Sequence, residues 1–119
     1  MKATACIDWL TFTVRSGRTP REVIEKILCM DFDMFQSKGY GLFGYQSALE
    51  FGNILVMYDY NGNLSTDMGI CVSMSGKGCR TFEQHTKRSS GGQTPFICLI
   101  SDLHADEFAN FSRVDLALD

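Results

Sequence analysis

The apolar residues near the start of the chain recur at every second position. Over 5–14, ACIDWLTFTV, Asp8, Leu10, Phe12 and Val14 fall on one face of a predicted strand, and Ile7, Trp9, Thr11 and Thr13 fall on the other. SGRT then breaks the alternation. Thr19-Pro20-Arg21-Glu22 has the form of a capping box with proline at the first helical position. Val23, Ile24, Ile27, Leu28 and Met30 follow at helical spacing, which predicts a helix with one apolar side.

The middle of the chain reads as three short strands, over 40–45, 53–60 and 68–75. In the last, Met68, Ile70, Val72 and Met74 alternate with Gly69, Cys71, Ser73 and Ser75, the pattern of a half-buried antiparallel strand. Asn61-Gly62 is a hairpin signal between the second strand and the third. SGKG (75–78) ends the run and opens a short helix reaching about Lys87. After the loop RSSGGQ, Thr94-Pro95 starts another helix, with Phe96, Leu99, Ile100 and Leu103 as its buried stripe.

The final strand covers 113–118. The order β-α-β-β-β-α-α-β predicts an α+β fold: an antiparallel sheet with helices packed on one face, in the ferredoxin-like neighbourhood. The first and last strands are the most apolar, so they are expected as central neighbours with the Thr19 helix across one face.

Composition narrows the class. With 119 residues, 45% hydrophobic and 21% charged, the chain supplies one soluble core and not two. No stretch has the length of a membrane span, and the amino terminus lacks the apolar core of a signal peptide. Five cysteines, an odd number with no CxxC spacing, fit a reduced, cytoplasmic protein.

The net charge of −3 argues against a general nucleic-acid binder, so the local distribution carries the signal. Lys77, Arg80, Lys87 and Arg88, with His85 among them, face a single acid, Glu83; Arg15, Arg18 and Arg21 form a second group. Charge runs of this kind are more often solvated faces than binding sites.

Gly76-Lys77 lacks the spacing of a phosphate loop: Cys71 stands where its first glycine is needed, and Gly78 follows the lysine. A glycine-flanked turn that lets backbone approach another chain or a phosphate is the remaining reading. His85 and His104 form no local pair, and no family spacing joins a nucleophile to a base.

The terminal strand differs. Alternation places Arg113, Asp115, Ala117 and Asp119 on one face, and Val114, Leu116 and Leu118 on the other as core. Two carboxylates flanking a small alanine repel one another, so a cation should offset them. Arg113 can supply that charge. So can Mg²⁺ or Mn²⁺, which favour carboxylate oxygens.

IDWLTFTV, GLFGYQSALEFGNILVMYDY, VSMSGKGCRTFE and RVDLALD, taken in order, resemble the replication initiation factors of phages, plasmids and conjugative elements. These initiate rolling-circle replication, and relaxases of integrative elements are their relatives. The resemblance implies a nicking-closing endonuclease of divergent HUH-type fold, in which a tyrosine hydroxyl attacks a DNA phosphodiester. The paired histidines of the wider class are absent.

On the corresponding strand the resemblance implies Asp115 and Asp119 as ligands of Mg²⁺ or Mn²⁺. For a protein acting on DNA, the local basic residues Lys77, Arg80, Lys87, Arg88 and Arg113 are the expected DNA contacts. The partners that the resemblance implies are single-stranded or melted origin DNA and a host helicase, with no membrane. In this family the domain continues past the strand and brings the nucleophilic tyrosine. Tyr40, Tyr45, Tyr58 and Tyr60 are expected to be packing residues, and the chain an amino-terminal fragment. The alternatives are a binding module without chemistry and a nuclease that activates water.

Overall fold

The computed structural model describes residues 5–14, 19–38, 45, 47–59, 69–87, 95–105 and 109–118. Strand β1 (Ala5–Val14) forms where the alternation predicts it. Thr19 caps α1 (Pro20–Glu22): its Oγ1 accepts from the Glu22 amide at 3.1 Å, and Glu22 Oε1 accepts from the Thr19 amide at 3.3 Å.

α1 runs directly into a π-helical segment (Val23–Ile27). The Leu28 amide donates to the Val23 carbonyl, five residues back, at 2.9 Å. Val23, Ile24, Ile27 and Leu28 are all buried in the main core. Cys29 ends the segment in the left-handed region, at φ 55°, a place where glycine is the usual residue.

A 3₁₀ turn (Phe32–Met34) leads to β2 (Gln36–Lys38), β3 (Ser47–Phe51), β4 (Ile54–Tyr58) and β5 (Ile70–Met74). Helix α2 (Gly76–His85) and helix α3 (Pro95–Ala105) follow, and β6 (Ala109–Leu118) completes the order. The sheet is antiparallel, with strand order β2-β3-β4-β5-β1-β6. It has one strand more than the sequence predicts.

β2 and β3 escape the pattern because they are short and half polar. The predicted strand over 40–45 lies outside the described residues except Tyr45, which is not in a strand. The Asn61-Gly62 signal also lies outside them. The observed hairpin is Gly52-Asn53 between β3 and β4, with φ of 54° and 70°, the positive pair that a two-residue hairpin turn requires.

The core occupies the helix-covered face. Leu10, Phe12 and Val14 of β1 meet Met74, Val72 and Ile70 of β5 in register, and Ile54 and Val56 extend the rows into β4. Cys79 and Phe82 of α2 and Phe96, Leu99 and Leu103 of α3 close over them. The Phe82 and Phe96 rings pack at 4.9 Å between centroids.

The opposite face holds a smaller buried cluster of Tyr45, Ala48, Met57 and Cys71, with Leu55 at its margin. Burial pushes the Cys71 thiol above its ordinary range, partly offset by a hydrogen bond with Thr13.

The glycines of SGKG serve the fold. A β-carbon on Gly78 would collide with the Asn53 carbonyl oxygen, so α2 lies directly against the β3–β4 turn. Thr81 Oγ1 lies within hydrogen-bond distance of two carbonyl oxygens it can donate to, Gly52 at 2.8 Å and Lys77 at 3.0 Å. The close backbone approach is made to the chain's own β3–β4 turn, where the motif reading has another chain or a phosphate.

One placement corrects the sequence reading. β1 and β6 are neighbours along their length, but β6 ends the sheet and only β1 is interior. Val114, expected in the core, is 44% exposed. It sits in register with Leu10 on the helix face, yet as an edge residue it has a neighbouring strand on one side only. Apolar content alone does not distinguish a strand flanked on both sides from one that covers a single flank.

Gly78→Ala should cost about 1–3 kcal/mol, because backbone and not a movable side chain must yield to the methyl group; urea denaturation measures it. The Cys71 thiol should resist alkylation near neutral pH in the folded chain and react on unfolding. Its folded pKa is raised, so this group's contribution to stability is present below the ordinary thiol pKa. That contribution declines as pH climbs from there through the raised value. Site-resolved mass spectrometry after labelling checks the thiol.

Candidate nucleic-acid interface

The β1–β6 ribbon contains two bulges. Ile7 pairs with Leu116 and Trp9 with Asp115, which leaves Asp8 as an extra residue on β1. Thr11 pairs with Arg113 and Phe12 with Phe111, which leaves Ser112 as an extra residue on β6. The first bulge is where α2 grips the sheet. Arg80 Nη2 donates to the Ile7 carbonyl, and Gly76 lies so close that a β-carbon there would stand 3.1 Å from Asp8 Oδ1.

Arg80 also forms an ion pair with Glu83 one helical turn on. This arginine, expected on DNA, is therefore held at its inner end by the fold. Lys77, three residues before it on the same helical face, is exposed and has no side-chain partner among the described residues.

Lys87 lies beyond the other end of α2. Its amide donates to the Cys29 carbonyl at 2.8 Å, and its Nζ meets Asp31 Oδ1 at 3.1 Å. Lys77 and Lys87 thus sit at opposite ends of a ten-residue helix, about 15 Å long. Arg88, Arg15 and Arg18 lie outside the described residues. Arg21 pairs with Glu25 at 2.9 Å and lies over the Phe32 ring.

On the sheet face opposite the helices, the edge of the ribbon carries a tight constellation. Arg113 Nε and Nη2 donate to Asp115 Oδ2 at 3.1 and 2.7 Å. The Arg113 Cζ lies 4.0 Å from the centroid of the Trp9 ring. Trp9 Nε1 donates to Thr11 Oγ1 at 3.2 Å, and that hydroxyl lies 3.1 Å from Ser73 Oγ. The hydrogen bond that Arg113 donates to Asp115 raises its guanidinium above the ordinary range, so it remains a cation throughout.

Of the two ways to offset Asp115, the structure contains the arginine. Asp119 lies outside the described residues, and among those described no three His, Cys, Asp or Glu side chains gather as a metal site would need. Tyr45 is buried in the smaller cluster and Tyr58 packs against the main core.

Sequence reasoning placed Trp9 on this face and gave it no role. The signal was available: it is the only tryptophan in the chain, on a strand whose neighbour carries an arginine.

Residues 4–97 match the model of the rolling circle replication initiation protein N-terminal domain. The chain belongs to this family. A solved structure of a rolling circle replication initiator protein from Geobacillus stearothermophilus is 28% identical and superposes with a TM-score of 0.79. That likeness covers 98% of this chain and 44% of the other.

A candidate DNA relaxase of Bacillus subtilis (strain 168), NicK, is 27% identical over 115 residues, 95% of this chain and 30% of the relative. The initiator domain described here thus spans less than half the length of either protein. Its antiparallel sheet with helices has the α+β architecture of the HUH type.

Within the initiator domain, Arg80 and Lys77 should separate cleanly by stability. Arg80→Ala should lose about 1–3 kcal/mol, the worth of a charged hydrogen bond to a bulge carbonyl. Lys77→Ala should stay within about 0.5 kcal/mol of the parent. Binding assays should show the Lys77 change weakening DNA binding alike on every sequence. It should flatten the salt dependence by about one counterion.

Proposed function

We propose that this chain is the amino-terminal part of a cytoplasmic rolling-circle replication initiator that nicks origin DNA through a phosphotyrosine intermediate. The observation that carries the reading is the likeness to the Geobacillus initiator, which extends over 98% of the chain. In the proposed reaction a tyrosine Oη attacks the phosphorus of a melted origin strand. The new bond joins the tyrosine to the 5′-phosphate, and the bond to the 3′-oxygen breaks. The phenolic proton leaves with a base, and the departing oxygen takes up a proton to become the 3′-hydroxyl that primes synthesis.

Tyr45 and Tyr58 are packed and Tyr40 and Tyr60 lie outside the described residues; the proposal takes the nucleophile from a residue beyond 119, as the family resemblance implies. The role of this domain is to bind and orient the strand. Lys77 is an exposed cation for phosphate, with Arg80, Lys87 and Arg88 as further contacts and a host helicase as the partner that unwinds ahead. Mg²⁺ or Mn²⁺ belongs to the proposal with Asp115 and Asp119 as ligands, completed by groups outside the described residues. Arg113 engages Asp115 in the structure, so an ion there would share that carboxylate with the arginine.

The 119-residue chain should bind DNA and cleave nothing. A longer protein containing the downstream residues should give a covalent protein–DNA product on single-stranded origin DNA, visible as a shifted band under denaturing conditions. In it, Asp115→Asn should abolish cleavage while changing DNA affinity no more than a few-fold, because the amide oxygen still accepts from Arg113. Cleavage without any covalent product would replace the tyrosine mechanism with one that activates water.

A further inference from the structure

We propose that Arg113, held by Trp9 beneath it and Asp115 at its edge, is a stacking plate for an unpaired nucleobase on the outer face of the β1–β6 ribbon. The proposal rests on the DNA reading above and concerns how the strand is gripped.

Three features of the guanidinium decide what it can take. One face is covered, with Cζ 4.0 Å from the Trp9 centroid. Its in-plane donors Nε and Nη2 are spent on Asp115 Oδ2, and the same carboxylate offsets its charge. What remains is its second face and the Nη1 end of the fork, on a side chain that is 50% exposed.

A phosphate is held best by an open two-donor edge and an unbalanced positive charge; Asp115 occupies the Nε–Nη2 edge and offsets the charge. A nucleobase calls for a flat, weakly hydrated π surface, which a guanidinium plane provides. Charge and geometry therefore select the base over the phosphate, and make Arg113 a base contact.

The plate is built in advance of any ligand. The Trp9 indole is oriented by its N–H bond to Thr11, and Thr11 is held by Ser73; both hydroxyl residues are only 6% exposed. A side chain oriented before binding loses little freedom on binding. β6 is the last strand of the sheet, so among the described residues no strand lies beyond the plate. A single strand can run along that edge with a base turned onto the arginine.

The test compares the chain and its variants on two labelled oligonucleotides of about 12 residues, within the range one such domain covers. One is oligothymidylate. The other is an abasic strand of equal length, with the same phosphates and no bases. Oligothymidylate should bind about tenfold more tightly than the abasic strand, and it should change the emission of Trp9, the only tryptophan.

Arg113→Ala, Arg113→Lys and Trp9→Phe should each bring oligothymidylate affinity down toward the abasic value. The abasic strand should be unaffected and the salt slope unchanged, with circular dichroism confirming that each variant folds. Lysine retains the charge but not the plane, so full rescue by Arg113→Lys overturns the proposal. Equal loss on both strands with a flatter salt slope makes Arg113 a phosphate contact and overturns it too. Tight binding that all three variants retain reduces the Trp9–Arg113 pair to a brace for the edge strand. Failure of the parent chain to bind either oligonucleotide removes the DNA reading itself, and this proposal with it.

Discussion

The seat of α2 on the sheet depends on one close approach, the absence of a side chain at Gly78 against the carbonyl of Asn53. Because the helix axis comes that near, Thr81 reaches the Gly52 carbonyl and Phe82 enters the core. The same seating brings Gly76 against Asp8 and lets Arg80 reach the Ile7 carbonyl at the β1 bulge. At the far end of the helix, Thr86 Oγ1 donates to the Leu28 carbonyl at 2.6 Å and the Lys87 amide donates to Cys29. One helix thus ties β1 to the capped helix, and its position decides which of its cations face solvent.

The β1–β6 ribbon divides its two faces between two tasks. Toward the helices it buries Leu10, Phe12 and Val14, with Phe111 tilted against Phe12 at 6.2 Å. Toward the other side it begins with a buried Thr11–Ser73 hydroxyl pair and grades outward to half-exposed Trp9, Arg113 and Asp115. Such a charged edge resists pairing with another sheet. It also places a flat cation where a single strand of DNA can reach it.

The charge balance bears on how this family member meets DNA. Arg21, Arg80, Lys87 and Arg113 are all engaged with acids in the structure, on a chain of net charge −3. Exposed pairs of this kind are each worth about 0–1 kcal/mol, so Arg21 and Lys87 can exchange a carboxylate for a phosphate at little cost. Arg80 is different, since its second bond holds the bulge. An interface of few free cations favours contacts to bases and limits non-specific electrostatic grip.

What the sequence determined by itself was local. The alternation of β1, the capping box at Thr19, the glycine-opened α2 and the Thr94-Pro95 start of α3 are set by neighbours within a few residues. All four elements appear at or near their predicted places. The likeness of its ordered motifs to a replication family was legible too. The tertiary structure alone decided that β6 is an edge, because burial of Val114 depends on what lies beyond the strand and not on its own pattern. It decided that Gly78 meets Asn53, twenty-five positions away by sequence number. It also decided that Arg113 lies over Trp9, since two residues on opposite ends of the chain become neighbours only when β1 and β6 pair.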